Sequence, residues 1–114
     1  MNDLDALAIE LQRIEAAKSE AIRNGIPALH RVYMAATGKS GQSRILRAFI
    51  IGIFNGGDHP FDLNQLRALD ETLFDDVLDV IRLDRHAEEE VHRYLPTTAQ
   101  QAISSWSFWN RSSI

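Results

Sequence analysis

Few side chains in this sequence are spaced for catalysis or for binding a cofactor. The 114-residue chain contains no cysteine, which excludes a disulfide framework, a thiolate zinc site and a cysteine nucleophile. The segment TGKS at residues 37–40 resembles the end of a phosphate-binding loop, but that motif needs a glycine where Tyr33 stands and a buried strand before it. We interpret this segment as a turn between two helices. No serine can be matched to a base from the sequence.

Two histidines and two glutamates near residue 90 are of the residue types that bind metals. His86 and His92 are six residues apart, however, and in a helix they would point to different faces. No zinc motif has this spacing. The spacing instead predicts solvated pairs on one helix, His86 with Glu90 and Glu89 with His92. We therefore predict no catalytic residue, no metal ligand and no cofactor, and we do not expect an enzyme.

Three arginines are the remaining candidates for a polar site. Arg44 and Arg47 are three residues apart on one edge of a predicted helix, and Arg67 would join them if the helices meet. Such a basic edge could contact the phosphates of a nucleic acid. Direct reading of DNA by a later helix is not expected, because the aspartates of that helix would repel phosphates.

Charged residues are distributed unevenly along the chain. Residues 26–57 carry four basic residues and no acid, whereas residues 58–90 carry eleven acids and three arginines. Two interpretations remain open. The two halves fold onto each other with complementary charges at the rim, or the surface is bipolar and steers a charged partner. In the second case, candidate partner-binding residues lie on the outer side of a predicted helix: Asp75, Asp76 and Asp79.

The helices that must position these residues are organised around the stretch from residue 41 to residue 62. Its apolar residues go nearly all the way round a helix, and such a helix is normally buried on most sides. Ser40 and Ser43 are candidate N-caps, and Asn-Gly-Gly at residues 55–57 ends the helix. We predict an all-α fold, a compact bundle of about six short-to-medium helices around a buried central helix from Gln42 to Phe54.

Periodic apolar residues, caps and breakers predict the other helices. We expect a first helix at residues 3–23, a flexible joint at Asn24 and Gly25, and further helices at residues 26–36, 63–69, 71–83, 85–95 and from 97 or 98 to 109. The corresponding organisation is an N-terminal amphipathic helix over residues 1–24 as a candidate association arm, a helical domain over residues 26–109 and a frayed tail over residues 110–114.

The first helix has apolar residues at the spacing of a short coiled coil. This spacing of three and four residues includes Leu4, Leu7, Leu11, Ile14, Lys18 and Ala21. Two interpretations remain open: these residues pack on the domain's own core, or they bind a protein partner or a second copy of the chain, as in a homodimer. Trp106 and Trp109 of the last helix are further candidates for partner binding.

The sequence also indicates a compartment. The first ten residues are acidic and amphipathic, so no signal peptide is visible. The longest apolar stretch, residues 48–54, is too short to cross a bilayer. We expect a cytoplasmic protein with no membrane partner.

Several short motifs occur in a characteristic order: GQSR at 41–44, FNG at 54–56, PFDL at 60–63, LRALD at 66–70, LFDD at 73–76 and EVH at 90–92. In this respect residues 26–95 resemble a domain of unknown function in small bacterial proteins, often linked to integrative conjugative elements, plasmids and phages. The long N-terminal helix departs from that pattern, and so does Ile45, where a second arginine is expected after Arg44. The resemblance implies a mobile-element accessory protein and supplies no catalytic residues.

These observations favour a non-enzymatic protein–protein interaction protein of a bacterial mobile element or phage, acting as an inhibitor of a host system or as an accessory factor. The alternative is a nucleic-acid-associated accessory or regulatory factor that uses the basic edge of the central helix.

Overall fold

Four α-helices and two short 3₁₀ segments form the part of the chain that the computed structural model describes, residues 2–112, with side chains described for residues 2–106. The α-helices are α1 (Asp3–Ala36), α2 (Gly41–Phe54), α3 (Glu71–His86) and α4 (Thr97–Ser112). The 3₁₀ segments are Leu63–Ala68 and Val91–Tyr94. No strand occurs in residues 2–112, and the predicted all-α class is confirmed.

Helices α1 and α3 pack against each other in an antiparallel pair, which is the most extensive helix–helix contact of the described residues. Arg31 of α1 contacts Asp76 of α3, and nearer the start of α1, Gly25 lies against Leu83. Helix α2 packs on α1, and α4 packs on α2. The core between these helices includes the buried side chains of Ala28, Leu29, Val32, Leu46, Phe49, Ile50, Val77, Val80, Leu83 and Ile103.

The predicted central helix is confirmed as α2. The Ser40 hydroxyl accepts a hydrogen bond from the backbone N–H of Ser43 at 3.0 Å, which satisfies one of the free amides of the first turn. Asn55 is the C-cap, as the Asn-Gly-Gly sequence predicts. The helix is buried on several sides, and its buried residues are Ser43, Leu46, Phe49, Ile50 and Ile51.

The predicted joint at Asn24 and Gly25 is wrong, because α1 continues for 34 residues and includes Pro27. Packing explains the glycine: a Cβ at Gly25 would lie 2.4 Å from the Cβ of Leu83, so the missing side chain lets α3 approach closely. The proline removes the helical donor for the carbonyl of Arg23. Arg23 and Pro27 are both exposed, so water can reach the carbonyl of Arg23.

The predicted helix at residues 63–69 is instead the 3₁₀ segment Leu63–Ala68. Only nine residues separate Pro60 from the cap of α3 at Asp70, and 3₁₀ geometry suits such short segments. The spacing of Leu63, Leu66 and Leu69 predicts that they face inward, but Leu63 is 71% exposed. On α3, the apolar spacing likewise predicts Phe74 and Ile81 on the core face, but they are 36% and 40% exposed.

The predicted helix at residues 85–95 is also wrong. Helix α3 continues past Asp84 to His86, because Leu83 and His86 still lie against α1 at its end. The chain then forms only the 3₁₀ segment Val91–Tyr94. The pairs that required a continuous helix, His86 with Glu90 and Glu89 with His92, are absent from the described residues.

The length of α1 determines the shape of the molecule, which measures 58 × 27 × 24 Å. A helix of 34 residues is about 51 Å long, whereas the 16 residues of α3 span only about 24 Å. The first part of α1 therefore projects beyond the bundle. None of the helices described here combines the length and the apolar composition of a membrane span.

At the other end of the chain, Ile103 of α4 is fully buried, as its spacing predicts. The frayed tail predicted for residues 110–114 overlaps α4, which extends to Ser112, and its last two residues lie outside the described ones. The division into an arm over residues 1–24 and a domain over residues 26–109 stays a prediction.

Candidate interaction surface on the first helix

One face of α1 carries apolar residues that are exposed at the start of the helix and buried further along. The exposed members form what we call the N-terminal stripe: Leu4, Leu7, Leu11 and Ile14, whose exposures are 76%, 54%, 54% and 49%. The same spacing continues through Lys18 into four buried residues, the inner stripe: Ala21, Gly25, Ala28 and Val32. One continuous helical face thus has two different environments.

The difference arises from where α3 ends. This helix covers the inner stripe from the level of Arg31, where Asp76 lies, to the level of Gly25, where Leu83 lies. It stops at His86. No other described element takes its place against the N-terminal stripe, since every residue from Asn2 to Ala17 is exposed.

An ion pair marks the boundary between the two stripes. The Lys18 ammonium lies 3.0 Å from a carboxylate oxygen of Glu88, in the loop after α3. The hydrogen bond from Lys18 to Glu88, reinforced by the charge of Glu88, raises the pKa of the lysine above its ordinary value. Exposed pairs of this kind add little to stability. Lys18 therefore marks the end of the N-terminal stripe, but its ion pair does not cover the exposed apolar residues before it.

The projecting part of α1 is capped and solvated on its other faces. The Asn2 side chain accepts a hydrogen bond from the backbone N–H of Asp5 at 2.8 Å, and Glu10 pairs with Arg13 at 3.4 Å. The face opposite the stripe mixes polar residues with Ile9 and Ala16, whereas the stripe is apolar at every position from Leu4 to Ile14. A helix with one continuous apolar face is suited to binding another helix along its length. Contiguous exposed apolar surface of this kind typically marks an interaction site.

The predicted acidic surface of α3 is only partly present. Asp75 is exposed and Asp79 is partly exposed, where its carboxylate pairs with Arg82 at 3.2 Å. The predicted outer position of Asp76 is wrong: Asp76 is 6% exposed and accepts hydrogen bonds at 2.9–3.2 Å from the Arg31 guanidinium. This hydrogen bonding raises the pKa of Arg31. The pair joins α1 to α3.

The three arginines do not form a continuous basic edge. Arg47 donates hydrogen bonds to the backbone carbonyls of Ala36 and Gly38 at 2.7 and 2.8 Å, so it stabilises the end of α1. Arg44 and Arg67 are exposed, and neither has an ion pair among the described residues. Of the three arginines, these two have exposed side chains, whereas Arg47 is half-buried.

Trp106 packs on the bundle rather than standing free. It is partly buried, and its ring stacks on that of Tyr33 with 5.7 Å between the centroids. The side chain of Trp109 lies outside the described residues. Of the two predicted tryptophan contacts, Trp106 is thus partly occupied by packing on α1, and Trp109 stays a prediction.

Two cavities of the described region are a narrow apolar crevice and an open surface groove. A crevice between α2 and the second 3₁₀ segment, lined by Phe54, His92 and Leu95 among others, holds only about 10 Å³. Burial in this crevice lowers the pKa of His92 below its ordinary value. A surface groove of about 450 Å³ lies at the start of α2 beside Arg44. Among the described residues, no three His, Cys, Asp or Glu side chains are grouped as metal ligands.

Residues 26–110 match the sequence model of a family of unknown function, DUF7673. The chain belongs to this family. No curated protein and no solved structure matches it. The family match includes α2, α3 and nearly all of α4, but begins within α1 at Ile26. The matched range therefore includes most of the bundle, and the N-terminal stripe lies in a segment outside the match.

Sequence reasoning predicted the stripe but missed two internal contacts of the family domain. Asp76 has a helical spacing of four and seven residues to Val80 and Leu83, which are buried, and this spacing could have indicated its inward position. The position of Arg47 could not have been inferred in this way, since it depends on where the preceding turn places the carbonyls of Ala36 and Gly38.

Proposed function

We propose that this protein is a non-enzymatic interaction protein that binds a protein partner through the N-terminal stripe of α1. The observation that carries the proposal is the change of exposure along one helical face, from half or more at Leu4, Leu7 and Leu11 to nearly zero at Ala28 and Val32. An apolar helical face with this spacing gains most from burial against another helix.

A role as an inhibitor of a host system or as an accessory factor of a mobile element or phage is part of this proposal. It rests on the resemblance of the motif order alone. The exposed Asp75 at the outer face of α3 is a candidate secondary contact, because it has no ion pair among the described residues.

Two double variants test the proposal in a matched way. Leu7→Glu with Leu11→Glu places two charges on the stripe. Ile9→Glu with Ala16→Glu places two charges on the opposite face of the same exposed helical segment. Each tagged protein is purified from a nuclease-treated bacterial lysate. We expect a stoichiometric protein partner, or a second copy, with the wild type and with the second double variant, and its loss with the first.

Binding that persists in the Leu7→Glu, Leu11→Glu variant would contradict the proposal. Circular dichroism controls for folding, because both variants introduce the same residue type at exposed helical positions.

Nucleic-acid binding is the second candidate, supported by the exposure of Arg44 and Arg67, neither of which has an ion pair within residues 2–106. The test is Arg44→Glu with Arg67→Glu, which leaves the structural Arg47 intact. If nucleic acid is the ligand, retention on labelled DNA or RNA should fall and lose its salt dependence. Recovery of partners only from lysates without nuclease would favour this candidate over the first.

A further inference from the structure

We propose that the partner of the N-terminal stripe is a second copy of the same chain, paired antiparallel, so that each α1 occupies the space beyond the end of the other copy's α3. This inference rests on the proposed function and specifies its partner. It follows from the spacing of the stripe, the end of α3, the uninterrupted continuation of α1 and the charges beside the stripe.

The spacing of the stripe is self-complementary in the antiparallel direction. In an antiparallel coiled coil, the first apolar position of each heptad packs against the second apolar position of the partner. Leu4 would then lie opposite Ile14 of the second copy, and Leu7 opposite Leu11 of the second copy. Four layers result, and the eight side chains in them are 49–76% exposed in the single chain. Lys18 stays outside these layers with Glu88.

The course of α1 selects the antiparallel direction. Helix α1 is continuous to Ala36, and from Lys18 onward its apolar face is occupied by Glu88 and α3. A parallel partner helix would continue along that same face and collide with α3. An antiparallel partner extends past the first turn of α1, and no described element lies there.

The antiparallel partner also continues the direction of α3. Since α3 runs antiparallel to α1, the second copy's α1 would begin where α3 ends and run the same way. The last turn of α3 carries Arg85 and His86, and the first turn of α1 carries Asp3 and Asp5. Basic and acidic turns would thus face each other, together with the negative end of one helix dipole and the positive end of the next.

The charges that flank the stripe favour the same direction. In a parallel pair, Glu10 of each chain would face Glu15 of the other, which gives two repulsive pairs. In the antiparallel pair, the two Glu10 side chains meet once, at the centre. Each already has Arg13 at 3.4 Å to compensate its charge. Antiparallel pairing therefore has fewer like-charge contacts.

The paired length is short, so the dimer should dissociate on dilution. The overlap covers about thirteen residues of each α1, or about 20 Å of helix. This is less than the length of most stable two-stranded coiled coils. Sedimentation of the full-length chain over a wide concentration range should show a monomer–dimer equilibrium. The Leu7→Glu, Leu11→Glu variant should be monomeric throughout, and the Ile9→Glu, Ala16→Glu variant should behave like the wild type.

The direction is measured with one spin label per chain, which is straightforward because the sequence has no cysteine. Arg23→Cys places the label on an exposed position of α1, about fourteen residues from the centre of the proposed pair. The antiparallel pair predicts a separation of about 42 Å between the two labels, whereas a parallel pair keeps them within about 24 Å.

A dimer with the longer distance supports the proposal. A dimer with the shorter distance overturns the antiparallel arrangement. A wild-type chain that stays monomeric, but captures another protein through the stripe, overturns self-pairing and leaves the proposed function standing. A dimer that is unaffected by Leu7→Glu with Leu11→Glu overturns both.

Discussion

At the scale of single residues, the ion pair between Arg31 and Asp76 has the most buried carboxylate of the ion pairs among the described residues. Asp76 is 6% exposed and receives both the Nε and an Nη hydrogen bond of the guanidinium. A carboxylate this well buried needs its partner, because a charge left alone in the core is costly. The pair therefore helps to fix the register between α1 and α3.

A double-mutant cycle tests this contact. We expect Arg31→Ala and Asp76→Ala each to lower the free energy of unfolding by about 1–3 kcal/mol, and the double variant to cost less than their sum. The matched control is the exposed pair Asp79–Arg82, where Arg82→Ala should change stability by less than about 1 kcal/mol. Urea denaturation gives all the values. Strict additivity of the two single costs would show that the pair is not coupled.

His92 should make stability depend on pH. Its ring lies against Phe54, with 4.3 Å between the ring centroids, and burial lowers its pKa in the folded state. The unfolded chain takes up the proton first, at an ordinary pKa of about 6.5. Its contribution is therefore present above this value and lost as the pH falls through the window below it.

The measurement is urea denaturation of the wild type and of His92→Phe at several pH values from about 7 down to about 5. As the pH falls, the free energy of unfolding of the wild type should decrease more than that of His92→Phe, because only the wild type has a histidine to protonate at this position. A gap that stays constant over this range would contradict the assigned burial effect.

At the scale of the elements, the close approach of α1 and α3 depends on Gly25. A glycine inside an exposed helix normally costs about 0.5–1 kcal/mol relative to alanine. Here we expect the opposite sign, because the new Cβ would lie 2.4 Å from the Cβ of Leu83. Gly25→Ala should destabilise the protein by about 1–3 kcal/mol.

Gly41→Ala is the matched control for this glycine. Gly41 is the first residue of α2, and a Cβ there would meet nothing within 4 Å. This change should be neutral or slightly stabilising. The thermal unfolding midpoint should therefore fall for Gly25→Ala and stay the same or rise slightly for Gly41→Ala. A rise in both variants would show that the packing of α3 on α1 does not require a glycine at position 25.

The elements also show what the sequence can and cannot predict. Helix α2 was predictable because its evidence is local: the Ser40 cap, a long apolar run and a breaker at Asn55. The break at Gly25 was mispredicted because the same residue type serves two purposes, ending a helix or admitting a neighbour. Only the position of Leu83 decides between them. The heptad spacing predicted the stripe, but its exposure depends on where α3 ends.

At the scale of the whole molecule, the chain consists of a folded bundle and a helical extension that contributes little to it. The side chains from Asn2 to Ala17 are all exposed, so the core does not depend on them. The long axis of 58 Å reflects this extension. The stability of the bundle and the association of the molecule should therefore be separable.

Deleting residues 2–15 separates these two properties while keeping Lys18 and its contact with Glu88. The shortened chain should unfold cooperatively, with a midpoint that does not depend on protein concentration. The full-length chain should unfold at a higher temperature as its concentration rises, because association stabilises only the folded state. Differential scanning calorimetry at several concentrations measures both. Equal, concentration-independent midpoints would mean that the stripe makes no self-contact. A shortened chain that fails to fold would mean that the projecting helix belongs to the core, against the exposure of every side chain from Asn2 to Ala17.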